Sequence, residues 1–157
     1  MTQAPSVTIR AATLADEAAA LDRMEELFEP PGRRPPHYTR EWAHEAFRRY
    51  LENPDADVLL AVEGDALVGL ATVYVDLPSI RFGLRCWLED LVVTSAMRSG
   101  GIGRLLLDAA TAWARERACT HLELDSGHGR KDAHRFYIEQ GMAQNGLIFS
   151  RLIDQEG

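Results

Sequence analysis

The segment between Val92 and Leu105 constrains the fold more than any other part of the chain. A strand-like apolar run ends there in a turn that holds three glycines in four positions, Gly100, Gly101 and Gly103, and a helix pattern with one apolar stripe follows at once. Glycine allows a positive φ and lets a ligand approach bare backbone. The first amides of a helix have no partner within it and lie at its positive dipole end. The segment therefore predicts a strand–turn–helix unit with a site for a phosphate or pyrophosphate.

Apolar periodicity along the remaining chain predicts a mixed α+β fold. The pattern favours strands at 7–10, 58–62, 66–75, 86–93, 122–125 and 147–153, and helices at 16–28, 39–53, 100–117 and 131–140. An antiparallel run followed by strand–helix–strand units implies a mixed sheet with helices on its faces. The prolines between 30 and 36 exclude regular structure there. The length of 157 residues fits one domain, which we predict over 1–157.

Composition and charge exclude several classes of partner. Seventeen Lys and Arg against twenty-four Asp and Glu give a net charge of −7, a poor basis for binding nucleic acid. No apolar run approaches the roughly 18–20 residues of a membrane span, and the first residues lack the apolar core of a signal peptide. Cys86 and Cys119 form no CxxC motif, and the five histidines show no helical metal-ligand spacing. We therefore expect a cytoplasmic protein without a metal, a membrane anchor or a nucleic-acid partner.

Known glycine-rich motifs narrow the interpretation of the turn. A P-loop requires a Lys after its last glycine, and this chain has none there. A Rossmann fingerprint requires glycine at the position of Leu106 and a βαβ unit early in the chain. On the glycines alone, a turn that merely lets a helix dock stays open as an alternative to a phosphate site.

A longer pattern decides between these alternatives. Arg98-x-x-Gly101-x-Gly103, placed between a strand and a helix, resembles the acyl-CoA signature of the GNAT superfamily of N-acetyltransferases. The resemblance extends to Val93, before the arginine, and to the run 133–142, AHRFYIEQGM. Two separated motifs in the correct order make the resemblance specific, and it covers most of the chain after the first two helices.

The resemblance implies a fold and a cosubstrate. The fold is a mixed, mostly antiparallel central sheet of about seven strands with about four helices on its two faces. The cosubstrate is acetyl-CoA, whose pyrophosphate would lie on the amides of 99–104 while its pantetheine pairs with the splayed strand end. The coenzyme-binding residues so implied are Leu91, Val92, Val93, Arg98, Ser99, Gly100, Gly101, Ile102, Gly103 and Arg104. Many members carry Asn where this chain has Arg130, and we expect Arg130 to contact the coenzyme instead.

Acetyl transfer to an amine requires a group that takes the ammonium proton and a group that protonates the departing thiolate. The resemblance assigns the second task to Tyr137, whereas the residues alone favour a Phe–Tyr pair that fills a helix–sheet contact. Glu89 and Asp90 form a charge pair inside an apolar strand, which is costly unless it faces a cleft. Strand alternation sends their side chains to opposite faces. By similarity to polyamine acetyltransferases, we expect Glu89 to be the base and Asp90 to bind the acceptor or support the fold.

The loop before the second helix is the expected acceptor region. In the superfamily this segment lines the acceptor pocket, and here it carries Arg33, Arg34, His37 and Tyr38. A solvated basic turn is the alternative, since charged loops usually face water. The run 126–137 is similar to a branch that acetylates small amines, aminoalkylphosphonate acetyltransferases among them, so we expect a small-molecule amine as acceptor. A protein N-terminus or lysine as acceptor, and an acyl-CoA-binding module without turnover, remain alternatives; a homodimer is left open.

Overall fold

The computed structural model describes residues 6–153, which form five strands and four helices. The strands are β1 (Val7–Ala11), β2 (Ala56–Glu63), β3 (Ala66–Val75), β4 (Arg85–Val93) and β5 (His121–Glu123). The helices are α1 (Glu17–Glu25), α2 (Arg40–Glu52), α3 (Ile102–Glu116) and α4 (Lys131–Glu139), with short 3-10 turns at Leu14–Asp16, Glu26–Phe28 and Ser95–Met97. Within this described range, no helix is long and apolar enough to cross a membrane. One compact unit extends to Leu124 and a second begins at Asp125, and the single domain stays a prediction.

The first unit is built on one sheet with the strand order β1-β2-β3-β4-β5. Strands β1 to β4 pair as antiparallel neighbours, and β5 lies parallel to β4 after the connection through α3. A tight turn with Gly64 at φ +61° joins β2 to β3, as the sequence predicts. The mixed, mostly antiparallel sheet expected from the sequence is therefore confirmed.

The expected number of about seven strands is wrong, because residues 6–153 form five. The closing strand expected at 147–153 is not formed; this segment has no ladder partner in the described range, and its apolar side chains, such as Leu147 and Phe149, are exposed. The segment is rich in apolar and β-branched residues, as a strand often is. Strand propensity, however, measures fit to a pleated, half-buried surface rather than a preference of the isolated backbone. Without a neighbouring strand, the pattern alone does not produce one.

An apolar core lies between the sheet and the first two helices. Helices α1 and α2 bury one apolar stripe each against β2, β3 and β4, as their periodicity predicts. The buried members of this core are Ala12, Ala20, Leu21, Phe47, Val58, Leu60, Leu70 and Val92. In this core α2 packs mainly against β2, and α1 packs against β3 and β4.

The opposite face of the sheet receives α3, and Gly69 of β3 sets how closely. A Cβ at Gly69 would lie 2.9 Å from the carbonyl oxygen of Val92 and 3.1 Å from Cδ1 of Leu106. Real Cβ atoms do not approach a neighbour so closely, so only glycine lets the first turns of α3 pack at this distance. The start of α3 is thereby fixed against the end of β4.

The ends of two helices follow the predicted caps. Thr39 precedes α2, and its hydroxyl oxygen accepts a hydrogen bond from Trp42 N at 3.1 Å. Gly141 follows α4 with φ +88°, and its amide donates to the carbonyl of Ile138 at 3.0 Å. Both helix boundaries predicted at these caps are confirmed.

Candidate active site

Backbone geometry shapes the turn between β4 and α3. Gly101 is left-handed (φ +85°) at the start of α3, and Ser99 also has a positive φ, +69°. The predicted start of this helix at Gly100 is wrong by two residues: α3 begins at Ile102, because Gly101 is not helical. The amide of Leu105 donates to the carbonyl of Gly101 at 3.1 Å. The amides between these two residues lie at the open, positive end of α3, where an anion can accept hydrogen bonds.

Arg98 braces this turn against the end of β4. Its Nε donates to the carbonyl oxygen of Val93 at 3.1 Å, while the side chain stays exposed. Arg104 is also exposed and lies along α3, with Nε 3.8 Å from Oδ2 of Asp108. Arg98 thus stabilises the turn through a hydrogen bond made on the solvent-exposed surface. The coenzyme contacts expected of Arg98 and Arg104 stay predictions.

Three side chains tie the end of β4 to the first helical segment. Arg23 Nη1 donates to Thr94 Oγ1 at 3.0 Å, and the Thr94 hydroxyl donates to Glu26 Oε1 at 3.2 Å. Arg23 Nη1 also lies 3.3 Å from the same carboxylate oxygen. The other oxygen of Glu26, Oε2, is buried and has no hydrogen-bond partner among the described residues. These contacts fix the point at which the chain leaves the sheet for the glycine turn.

Strand β4 carries one extra residue, Glu89. Leu88 and Asp90 pair with consecutive residues of β3, so Glu89 has no partner across this ladder. A bulge of this kind bends the strand and redirects side chains. The regular alternation that would send Glu89 and Asp90 to opposite faces is therefore interrupted at this position.

Glu89 is exposed and accepts a hydrogen bond from an indole. Trp87 Nε1 donates to Glu89 Oε2 at 2.6 Å. Trp87 shares a face of the sheet with Asp90, because their β3 partners, Tyr74 and Thr72, are two residues apart. The carboxylates of Glu89 and Asp90 therefore lie on the same face, and the expectation of opposite faces is wrong.

Asp90 is held by the buried hydroxyl of Thr72. Thr72 Oγ1 donates to Asp90 Oδ2 at 2.8 Å and accepts a hydrogen bond from the Asp90 amide at 3.0 Å. Thr72 is 4% exposed, so both of these bonds form away from bulk water. The double contact fixes one side of the bulge. It favours a structural or binding role for Asp90 over a role in proton transfer.

Tyr50 of α2 faces the same carboxylates. Its ring meets the ring of Tyr74 edge-on, with 6.4 Å between the centroids. Burial raises the pKa of the Tyr50 hydroxyl, and the charges of Asp90 and Glu89 raise it further, while Thr72 acts in the opposite direction. The phenol therefore stays protonated near neutral pH and available as a hydrogen-bond donor.

In the second unit, Tyr137 lies on α4 beside Phe136, with 5.4 Å between the ring centroids. Burial raises the pKa of the Tyr137 hydroxyl, and the positive charge of Arg130 opposes the shift. Arg130 directly precedes α4, and its carbonyl accepts from the amide of His134 at 3.1 Å. Tyr137 is thus a protonated phenol at neutral pH, as a proton donor must be. The catalytic role of Tyr137 and the coenzyme contact of Arg130 stay predictions.

The loop before α2 uses its tyrosine internally. The Tyr38 hydroxyl donates to Glu25 Oε1 at 2.6 Å, and the guanidinium of Arg34 lies over the Tyr38 ring, 5.1 Å from its centroid. Burial and the contact with Glu25 raise the pKa of Tyr38 to about 12. His37 is exposed. The Tyr38 hydroxyl is thus committed to α1, and the acceptor contacts expected of His37 and Tyr38 stay predictions.

The cysteines and histidines do not assemble a metal centre in the part of the chain that the structure describes. No group of three or more His, Cys, Asp or Glu side chains has a suitable arrangement in residues 6–153. Cys86 is buried, and burial raises the pKa of its thiol to about 12. A thiol of that pKa is protonated at neutral pH and is a poor nucleophile.

Comparison with known proteins identifies the family. The profile of the acetyltransferase (GNAT) family matches residues 21–142, most of the chain. This chain belongs to the GNAT acetyltransferase family. A solved aminoglycoside N-acetyltransferase, AAC(6')-Iy in complex with CoA, superposes with a TM-score of 0.83 over 97% of this chain and 98% of its own, at 14% identity. At that identity the likeness is one of fold, and the GNAT-like fold expected from the sequence is confirmed.

Two bacterial relatives carry acetyltransferase names. The uncharacterized N-acetyltransferase YhdJ of Bacillus subtilis is 48% identical over 62 residues, 40% of this chain and 44% of YhdJ. The aminoalkylphosphonate N-acetyltransferase of Salmonella typhimurium is 28% identical over 109 residues, 69% of this chain and 71% of that enzyme. The matched segment thus spans less than half of YhdJ and about seven tenths of the Salmonella enzyme.

The GNAT family implies acetyl-CoA, and two features of this chain fit it. A Cβ at Gly101 would meet nothing within 4 Å, so the turn presents bare backbone to open space beside the first amides of α3. Strand β5 pairs with residues 85–87 of β4 and, in the described part of the chain, with no others of that strand. The β5 ladder therefore ends before residues 88–93 of β4, the part of the strand on which an extended ligand such as the pantetheine arm would pair.

The sequence did not predict two residues beside the candidate base, Thr72 and Tyr50, because both lie outside the family motifs. They precede Asp90 by 18 and 40 residues, and nothing in their local sequence pattern marks them. Trp87 could have been found, because residues i and i+2 of a strand share a face and Glu89 was already a candidate. The bulge itself depends on the register of two strands and has no signature in β4 alone.

Proposed function

We propose that this GNAT-family chain transfers the acetyl group of acetyl-CoA to the primary amine of a small molecule, directly within a ternary complex. The observation that carries the proposal is the construction of β4. This strand bears an exposed carboxylate at the Glu89 bulge, an edge that β5 pairs with over 85–87 and not beyond in the described residues, and a turn that runs into the amides of α3. The chain thus joins a candidate base to a candidate phosphate site through one short, rigid strand.

Two residues of the chain, Glu89 and Tyr137, take part in proton transfer in this proposal. A primary amine is mostly protonated near neutral pH, and Glu89 accepts the proton that the ammonium must lose. Acetyl-CoA, when bound, supplies an acetyl group activated as a thioester. As the new C–N bond forms and the C–S bond breaks, Tyr137 donates its hydroxyl proton to the departing sulfur. The ammonium nitrogen loses two protons in all: the first passes to Glu89 and on to solvent before attack, and the second leaves as the amide forms and restores, through solvent, the proton that Tyr137 gives to the sulfur. One proton is released overall, and no redox partner is needed.

Other residues bind and orient the two substrates. The backbone of 91–93 takes the pantetheine arm, the amides of 99–104 take the pyrophosphate, and Arg98 and Arg130 each bind the coenzyme. Asp90 and the loop residues His37 and Tyr38 bind the acceptor in this proposal. The names of the Salmonella relative and of the superposed aminoglycoside enzyme support a small-molecule acceptor over a protein.

A thiol-release assay with acetyl-CoA tests the proposal. The acceptors are aminoalkylphosphonates, aminoglycosides, polyamines, amino acids and peptides, each with detection of the acetylated product by mass spectrometry. We expect release and product with at least one small amine, and loss of both in Glu89→Gln. Turnover with peptides alone would support protein acetylation instead. Acetyl-CoA binding by calorimetry without turnover on any acceptor would support a binding module.

A further inference from the structure

The two carboxylates of the β4 bulge are held by donors of different kinds. Asp90 is bound twice by the buried Thr72, through its side chain and through its amide. Within residues 6–153, Glu89 accepts one side-chain hydrogen bond, at Oε2, from the indole N–H of Trp87 at 2.6 Å. A nitrogen–oxygen distance this short is typical of a donor to an ionised carboxylate. The two neighbouring carboxylates of β4 are therefore held differently: Asp90 by the hydroxyl of Thr72, and the exposed Glu89 by the indole of Trp87.

We infer that Trp87 is a positioning residue for acetyl transfer: it holds the Glu89 carboxylate by Oε2 and leaves Oε1 to take the acceptor's proton. The inference rests on the proposed function, in which Glu89 is the base. It explains how an exposed glutamate at an unpaired bulge position keeps one orientation.

The Glu89 side chain needs a hydrogen-bond donor to keep one orientation, because the bulge itself does not restrain it. A glutamate side chain has freely rotating bonds, and ordering it costs conformational entropy. Glu89 has no partner on β3, so the ladder does not restrain this position. Trp87 lies in the regular part of β4, paired with Tyr74 on one side and Glu123 on the other. Its indole is therefore a rigid donor anchored two residues from a flexible acid.

The effects of the charged groups around Glu89 can be distinguished by substitution. Asp90 is the neighbouring acid on β4, and Tyr50 and Tyr74 face the bulge from α2 and β3. Beside Trp87, Glu123 of β5 is 3.5 Å from the guanidinium of Arg85. Asp90→Asn and Glu123→Gln therefore serve as controls, because each removes a neighbouring carboxylate and leaves both partners of the Trp87–Glu89 contact in place.

The kinetic test combines Trp87→Phe with Glu89→Gln. Trp87→Phe keeps an aromatic ring and removes the donor, so we expect kcat to fall about tenfold with little change in the acceptor's KM. In the Glu89→Gln background, Trp87→Phe has no further effect. Trp42→Phe, an exposed tryptophan on α2, leaves the kinetics unchanged.

A second measurement does not depend on activity. In a nitrogen-15 NMR spectrum, we expect the indole N–H signal of Trp87 to move when Glu89 is changed to Gln and to stay in place in Asp90→Asn and Glu123→Gln. A signal that depends on Glu89 in a protein without transferase activity would refute the proposed function and leave the contact standing. An active enzyme whose signal does not change in Glu89→Gln, or in which Trp87→Phe and Glu89→Gln act additively, would overturn the inference.

Discussion

The end of β4 and the turn that follows it are adjacent in sequence but are built in different ways. Residues 87–94 are held by side chains: an indole on Glu89, a hydroxyl on Asp90, and an arginine and a glutamate on Thr94. Residues 98–104 are shaped by backbone, with positive φ at Ser99 and Gly101 and an arginine that bonds only a carbonyl. The first region presents carboxylates and the second presents amides. We therefore expect function to depend on side-chain chemistry in residues 87–94. In residues 98–104 we expect it to depend on backbone that no side chain covers.

Glu89→Gln tests the side-chain region most strongly. The amide keeps the shape of the carboxylate and removes the base, so we expect kcat/KM at neutral pH to fall by roughly 10²–10⁴. Only the deprotonated fraction of the amine then reacts, so log kcat/KM should climb with pH toward the pKa of the amine instead of reaching a plateau. The measurement is a steady-state pH profile with the best acceptor from the assay.

Asp90→Asn is the matched control for that experiment. It should keep the plateau and raise the acceptor's KM or lower stability, because Thr72 holds this carboxylate away from proton transfer. If the climbing profile appears in Asp90→Asn and not in Glu89→Gln, the two roles are reversed. If both variants keep the plateau, the base lies elsewhere, and His134 is the next residue to test.

Tyr137→Phe tests the proposed proton donor, which lies in the second unit. The change keeps the ring beside Phe136 and removes only the hydroxyl. If Tyr137 protonates the thiolate, kcat should fall by roughly 10²–10³ while the affinity for acetyl-CoA, measured by calorimetry, stays nearly constant. A variant within threefold of the wild type would make Tyr137 a packing residue.

Gly101→Asp tests the backbone region. The new side chain adds strain at φ +85° and places a negative charge where the pyrophosphate is expected. We expect the affinity for acetyl-CoA to fall by about 10²-fold in calorimetry. Gly64→Asp is a matched control, because Gly64 also has a positive φ, +61°, and open space around it, but lies in the hairpin between β2 and β3. Equal affinities in the two variants would refute the pyrophosphate assignment.

The sequence predicted what depends on local pattern and missed what depends on pairing between distant segments. The cap at Thr39 and the turn at Gly64 were predictable, because each is decided by a few neighbouring residues. The strand at 147–153 was wrongly predicted, since a strand needs a partner that periodicity cannot supply. The Glu89 bulge depends on the register between β3 and β4, and the Tyr38 hydroxyl is committed to a glutamate 13 residues earlier. The proposed roles of the site residues came from family motifs, which name positions but not the contacts that hold them.

Thr72→Val gives the smallest expected effect and tests how the bulge is held. Valine is close in shape to threonine, so the change removes the donor to Asp90 and the acceptor of its amide with little change in volume. Loss of these two hydrogen bonds should lower the free energy of unfolding by about 1–3 kcal/mol, measured by urea titration. Thr72→Ser keeps the hydroxyl and loses only a buried methyl group, at about 1 kcal/mol. If the valine variant is the more stable of the two, Thr72 contributes packing rather than hydrogen bonding, and the bulge is held by the strand ladder alone.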